Sequence, residues 1–148
     1  MAIWKQHVDL AAVNAWSRRT LMQAIDIRIT EIGDDYLTGT MPVDDRTRQP
    51  YGILHGGASV ALAETLGSTA AMLCCDDNHA AIGLDINANH LRAVREGTVT
   101  GTARPLHIGR STQVWEIRIV EDAGNLACIA RLTMAVVPRR AAMLQKSS

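Results

Sequence analysis

Phenylalanine is absent from this chain, and two tyrosines and three tryptophans are the only aromatic residues of that kind among 148. No stacking platform for a planar ring is therefore expected beyond Tyr51 and the tryptophans. Net charge is lacking too. Fifteen basic residues balance fifteen acidic ones, so no global field draws the chain to nucleic acid or an anionic membrane, and any anion site must be local. Cys74, Cys75 and Cys128 are odd in number, show no CxxC spacing, and include two neighbours inside an apolar run. Buried reduced thiols in a reducing cytoplasm fit that pattern better than disulfides. There is no HExxH, four-cysteine set or Asp/Glu cluster, and the five histidines are scattered, so no metal is expected. A Walker loop and a dinucleotide fingerprint are also missing, and no cofactor is expected. Met1 to Asp9 carry no continuous apolar core behind a basic start, so no secretory signal is expected. The longest apolar run, Ala58 to Cys75, is interrupted by Ser59, Glu64, Thr65, Ser68 and Thr69. It falls short of the roughly 20 apolar residues of a bilayer span and reads as a core helix instead.

What is present is a clear order of elements. Asp9 can cap a short amphipathic helix reaching about Trp16. Ile25, Ile27 and Ile29 alternate with Asp26, Arg28 and Thr30, and after the Gly33-Asp34-Asp35 turn Leu37, Gly39, Met41 and Val43 continue the pattern, so residues 24 to 43 read as a β-hairpin. Asp44 to Leu54 is a loop that delivers the chain to the helix, whose last turn is placed slightly before Cys75 because Asp76 and Asp77 are unfavourable at a helix C-terminus. Four alternating segments follow: Ala81 to Leu91, Thr98 to Leu106, Thr112 to Val120 and Leu126 to Val137. Glycine-bearing turns separate them, which implies antiparallel neighbours. Residues 1–137 form one domain, with a polar tail over 138–148 expected to be flexible.

Two strands, one long buried helix and four more strands make an α+β domain in which a curved antiparallel sheet of about six strands wraps the helix. A helix apolar nearly all round must be covered on most sides, and the side that the sheet leaves open needs another surface. Gly57, Ala58, Ala61, Ala63, Gly67, Ala70 and Ala71 permit close approach of another surface, and a homodimer is expected.

Met41-Pro42-Val43-Asp44, Gln49-Pro50, Leu54-His55-Gly56-Gly57-Ala58-Ser59, Leu62-Ala63-Glu64, Gly67-Ser68, Asn87-Ala88-Asn89-His90 and Pro105-Leu106-His107 together form a specific pattern. It resembles that of the hotdog-fold thioesterases of the 4-hydroxybenzoyl-CoA thioesterase group (Arthrobacter-type). Within it the chain is most similar to the branch of enterobactin proofreading and 1,4-dihydroxy-2-naphthoyl-CoA thioesterases. The likeness runs from Ile3 to about Val137, with Tyr51 standing where Phe is the family's residue. It implies the hotdog fold, hydrolysis of acyl-CoA thioesters with an aromatic acyl group, CoA as part of the substrate rather than a cofactor, and a homotetramer built from dimers. A phosphopantetheinyl carrier protein as the acyl donor is the alternative partner.

The residues can be read against that chemistry. Thioester hydrolysis needs hydrogen-bond donors where charge grows on the carbonyl oxygen and a nucleophile or general base at the carbonyl carbon. Gly56 and Gly57 at a helix N-terminus offer backbone N–H groups and room for close approach, or simply a glycine turn into the helix. Glu64 can attack or activate water, or sit as a paired core carboxylate. Ser68, four residues on, can hold Glu64 or a water, or only pack. His55 can bond the thioester or assist the leaving thiolate, or bond backbone at the helix entry. Gln49, extended before Pro50, can orient substrate or water. His90 shares a period with Ile82, Leu84 and Ile86 and so reads as a core or interface residue, whereas the resemblance implies a substrate pocket. Arg92, Arg110 and Ser111, with Arg95, are candidates for the CoA phosphates.

Gly57 and Glu64 lie on one helix face but about 10 Å apart, too far for both to reach one carbonyl. Two antiparallel helices in a dimer would set Gly56 of one subunit beside Glu64 of the other. The resemblance implies the same composite site, with Gln49, His55 and Gly56 facing the partner's Glu64 and Ser68. Two rivals are a hotdog 3-hydroxyacyl dehydratase, whose Pro-rich helix entry this chain lacks, and a non-catalytic acyl-CoA-binding module.

Overall fold

A computed structural model describes residues 1–140. Asp9 caps helix α1 (Leu10–Ala15) by accepting the Ala11 N–H at 3.0 Å. A four-residue helix α2 (Leu21–Ala24) follows and occupies the start of the expected hairpin, whose strands are β1 (Arg28–Ile32) and β2 (Leu37–Pro42). The isoleucine alternation is real only from Ile27. Ile25 is the C-cap of α2, and Asp26 takes a left-handed φ of +58° that ends the helix before the strand begins; an aspartate tolerates that region better than most residues.

The long helix α3 (Gly56–Leu73) starts two residues earlier than the apolar run and ends before the acidic pair, with Cys74 as C-cap. Then come β3 (His79–His90), β4 (Thr98–Ile108), β5 (Thr112–Val120) and β6 (Leu126–Pro138). Of the tail expected over 138–148, Pro138 belongs to β6 and residues 141–148 lie outside the described residues.

The six strands among the described residues form one antiparallel sheet in the order β1-β2-β4-β5-β6-β3. This corrects one expectation: β3 and β4 are not neighbours, and the chain between them crosses from the sheet edge to its middle. The crossover is held by the loop before α3. Leu54 N–H donates to Val94 O at 2.7 Å, Val43 N–H to Gly97 O at 2.8 Å and Arg48 Nε to Arg95 O at 3.0 Å. Val94 is buried against the core. A glycine turn signals reversal, not which strand the chain rejoins.

Leu66 seats the helix on the sheet. Gly39 and Gly101 are cross-strand partners on β2 and β4, and a Cβ on either would stand 2.5 or 2.6 Å from a Leu66 methyl. The missing side chains form a trough into which Leu66 is fully buried, a burial worth about 1.5–3 kcal/mol. Leu62, Leu73, Trp115, Ile117, Leu132 and Met134 complete the core on either side. The first residues close it: Trp4 stacks on Trp115 at 6.4 Å and donates its indole N–H to Gly33 O at 2.7 Å.

Candidate active site

The loop before α3 is fixed from several sides. Gln49 N–H donates to Ile53 O at 2.8 Å, Gly52 N–H to Gln49 O at 2.9 Å with φ +79° at Gly52, and His55 N–H to Thr47 O at 2.8 Å. The Gln49 side chain accepts the Tyr51 N–H through Oε1, leaving its amide NH₂ free to donate.

His55 is the N-cap of α3, and its Nδ1 accepts the Gly57 N–H at 2.8 Å. That bond needs the Nδ1 lone pair, so the imidazole proton sits on Nε2. The expectation of two free N–H groups is corrected here: Gly57 is engaged, and Gly56 keeps the open donor because the first N–H of a helix has no partner within it. His55 and Gly57 face a shallow cleft with Arg46 and Arg48. Both arginines are already paired, Arg46 to Asp44 at 2.7 Å and Arg48 to Asp45 at 3.2 Å. The Arg46 guanidinium holds the Asp44 carboxyl below the usual carboxylate range.

On the other side of the same helix end, a cavity of about 370 Å³ is lined by Gln49, Leu54, Gly56, Ser59, His90 and Arg92 among others. The structure thus gathers four expected site residues, Gln49, Gly56, His90 and Arg92. The place of His90 corrects the simple alternation. The β3–β6 register shifts between Gly83 and Asp85, so Gly83, Ile86, Ala88 and His90 pair with Met134, Leu132, Ala130 and Cys128, all buried. Those four face the helix, Ile82 does not, and Leu84 is the bulged, exposed residue. His90 lies at the end of that face beyond the core, its Nε2 3.0 Å from where a Gly56 Cβ would stand.

Glu64 lies elsewhere. It lines a second cleft of about 300 Å³ with Leu21 and Met22 of α2 and with Ala61, Thr65, Ser68 and Thr69 of its own helix. Its carboxylate makes no hydrogen bond or ion pair among the described residues, and Oε1 lies 3.0 Å from the position of a Gly83 Cβ. Ser68 does not bond Glu64; its Oγ lies 3.8 Å from Met134 Sδ. Eight residues of helix separate Gly56 from Glu64 by about 12 Å.

Arg110 is not brought to either cleft. It lines a cavity of about 380 Å³ with Lys5, Cys75, Asp76, His79 and Gln113, past the opposite end of α3, roughly 25 Å along the helix from Gly56. Ser111 beside it accepts the Val136 N–H at 2.9 Å through its carbonyl. There the hydrogen bond from His79 holds the Asp76 carboxyl below the usual carboxylate range, and burial pushes the Cys74 thiol up to about 12.

Three contributors escaped the sequence reading: Gly83, Ser59 and helix α2. Gly83 left a signal, because a glycine inside a strand pattern marks a bulge or close approach. Ser59 entered as a polar interruption of the helix and as part of the motif that carries the resemblance, with no role of its own. α2 is too short to show a period.

A free helix N-terminal donor in a cavity, with an unpaired carboxylate on the same helix, is the equipment of acyl-transfer chemistry. Residues 51–128 match the Thioesterase superfamily model. The chain belongs to that family and is a thioesterase of hotdog fold. It is 51% identical over 135 residues to the 1,4-dihydroxy-2-naphthoyl-CoA hydrolase of Escherichia coli, covering 91% of this chain and 99% of that one. It is 52% identical over 135 residues to the proofreading thioesterase EntH of Cronobacter turicensis, covering 91% and 98%. A solved thioesterase of Haemophilus influenzae, 47% identical, superposes with a TM-score of 0.90 over 92% of this chain and 95% of that one. No helix among the described residues is long and apolar enough to cross a membrane.

Proposed function

We propose that the enzyme hydrolyses aromatic acyl-CoA thioesters of the hydroxybenzoyl or dihydroxynaphthoyl type, in the cytoplasm and as a homodimer that assembles further into a homotetramer. The observation that carries this reading is the separation within one chain of the Gly56 donor and the unpaired Glu64 carboxylate, by about 12 Å along one helix. Gly56 N–H, with Gln49 and His90 around it, donates to the thioester oxygen, and Arg92, which lines the same cavity, binds the CoA phosphates. Glu64 of the second subunit attacks the carbonyl carbon or removes a proton from the attacking water. The C–S bond breaks, the CoA thiol leaves, and water supplies the new oxygen to the product carboxyl, either directly or, where an anhydride is hydrolysed at the enzyme carboxyl, by replacing the Glu64 oxygen that the product carries off.

The free edge of the sheet supports the pairing. β3 is an edge strand of 12 residues, and so long an open edge calls for a partner strand. Joining two β3 strands about a two-fold axis would lay the two helices antiparallel across the seam. The E. coli relative is named for a bicyclic aromatic acyl-CoA, which supports the acyl class. A carrier-protein thioester is the second reading, because the C. turicensis relative is named a proofreading thioesterase and a phosphopantetheine arm presents the same thioester.

Steady-state hydrolysis of a panel of aromatic and aliphatic acyl-CoAs, and of one acyl carrier protein, by wild type and Glu64→Ala tests the reading. Wild type should prefer an aromatic thioester and Glu64→Ala should lose at least about a thousandfold in kcat. Equal activity of the two enzymes would remove Glu64 from the mechanism. Single turnover in labelled water tests for direct attack: label in Glu64 establishes an anhydride hydrolysed at the enzyme carboxyl, whereas label in the product alone fits either role.

A further inference from the structure

Ser59 follows Gly56 by three residues on α3, and both line the cavity that holds Gln49 and His90. Ser59 is 3% exposed, yet its hydroxyl makes no hydrogen bond among the described residues. No side-chain polar atom among them is both sealed from solvent and unpaired, so the Ser59 Oγ opens into the cavity.

The usual fate of a helical serine is donation to the carbonyl four residues back. Thr65 on the same helix does this, bonding Ala61 O at 2.6 Å. For Ser59 that carbonyl belongs to His55, and it already accepts the N–H groups of Ala58 at 3.0 Å and of Ser59 itself at 3.2 Å. Helical side chains lean toward the N-terminus, so the Ser59 hydroxyl lies over the turn that begins with the Gly56 N–H. The helix end itself has only that one donor on this side, because the Gly57 N–H is held by His55.

The geometry points to Ser59 as the second donor to the thioester oxygen, completing with Gly56 N–H a two-donor oxyanion site; this rests on the hydrolysis proposed above. When the carbonyl carbon is attacked, the C=O π pair moves onto oxygen, and the O–H of Ser59 and the N–H of Gly56 hold the resulting charge. The pair then returns as the C–S bond breaks and the thiolate leaves. Ser59 keeps its proton throughout, so nothing is transferred through it.

The experiment compares wild type, Ser59→Ala and the near-isosteric Ser59→Cys, which carries the test should the alanine variant fail to fold. Loss of the donor should lower kcat on the order of 10- to 100-fold while KM stays within about threefold. Two CoA inhibitors give a second readout: a dethia ketone that keeps the carbonyl and a thioether that lacks it. The variants should bind the ketone about tenfold more weakly and the thioether within about twofold of wild type. A kcat within about twofold of wild type, or equal weakening of both inhibitors as a packing role would give, overturns the proposal while hydrolysis stands. If wild type cleaves no thioester, the hydrolysis reading falls and the oxyanion role falls with it.

Discussion

Gly83 and Glu64 are in close apposition: a Cβ on Gly83 would stand 3.0 Å from the Glu64 Oε1. The contact exists because the β3 bulge turns Gly83 toward the helix. Gly83→Ala should therefore displace the carboxylate rather than the fold, since the obstructed atom is the end of a flexible side chain. A shift of an ångström at a reacting group can cost on the order of 100-fold, so a shift of a few tenths should lower kcat roughly tenfold. The unfolding midpoint should stay near that of wild type, because alanine is no worse than glycine in a strand. Unchanged kcat with full occupancy of the alanine variant would show that Glu64 does not act from this position.

Much of the fold was legible because its signals are local. Ile27, Ile29, Leu37, Met41 and the residues of β4 to β6 alternate in sequence as they do in the sheet, and the apolar run from Ala58 marks α3 by length alone. What stayed hidden depends on partners distant in sequence. The β3–β4 crossover is decided by Val94 binding the Leu54 N–H across the pre-helix loop. The face taken by His90 is decided by an extra residue, Leu84, whose effect appears only when β3 is laid against β6. The candidate site shows the same division. Gly56, His55 and Glu64 stand out by type and spacing, while the engagement of Gly57 by His55 and the open hydroxyl of Ser59 follow from hydrogen bonds that spacing does not record.

We expect His55 to do two separable jobs, capping the helix and donating from Nε2 to the substrate. As N-cap it binds the Gly57 N–H at 2.8 Å through Nδ1, and His55→Ala should cost about 1 kcal/mol of stability, or about 3 °C in Tm. His55→Asn supplies a side-chain acceptor at the same place and should restore the Tm. It cannot restore the Nε2–H, which the cap leaves free to donate, so kcat should remain down on the order of tenfold. Full activity in the asparagine variant would confine His55 to capping.

Cys74 should make the enzyme sensitive to alkali. Its thiol is pushed from 9.0 in the unfolded chain up to about 12 by burial, with neighbouring Cys75 adding to the effect. A folded pKa above the unfolded one means that the native state is fully favoured below pH 9.0 and loses that advantage as pH rises toward about 12, because the unfolded chain gives up the proton first. Urea midpoints should be flat across neutral pH and fall above it, and the fall should be shallower in Cys74→Ala. Parallel curves for the two proteins would place the alkaline loss at other groups, Cys75 and Cys128 first among them, since burial raises both.

A dimer that shares its sites should complement in trans. Glu64→Ala removes the carboxylate but leaves the Gly56 cavity intact, whereas Gly56→Val fills the space where even a Cβ would stand 3.0 Å from His90 Nε2 and leaves Glu64 intact. Each variant alone should be inactive. When equal amounts are unfolded together and refolded, half of the dimers pair one of each, and each such dimer holds one complete site and one doubly disabled one. The mixture should recover about a quarter of wild-type activity at saturating substrate. The thermal midpoints of the separate variants, measured first, establish that both fold before mixing. No recovery, with mixed dimers demonstrated by mass, would mean that Gly56 and Glu64 act within one chain, and a monomer that turns over substrate would require the same conclusion.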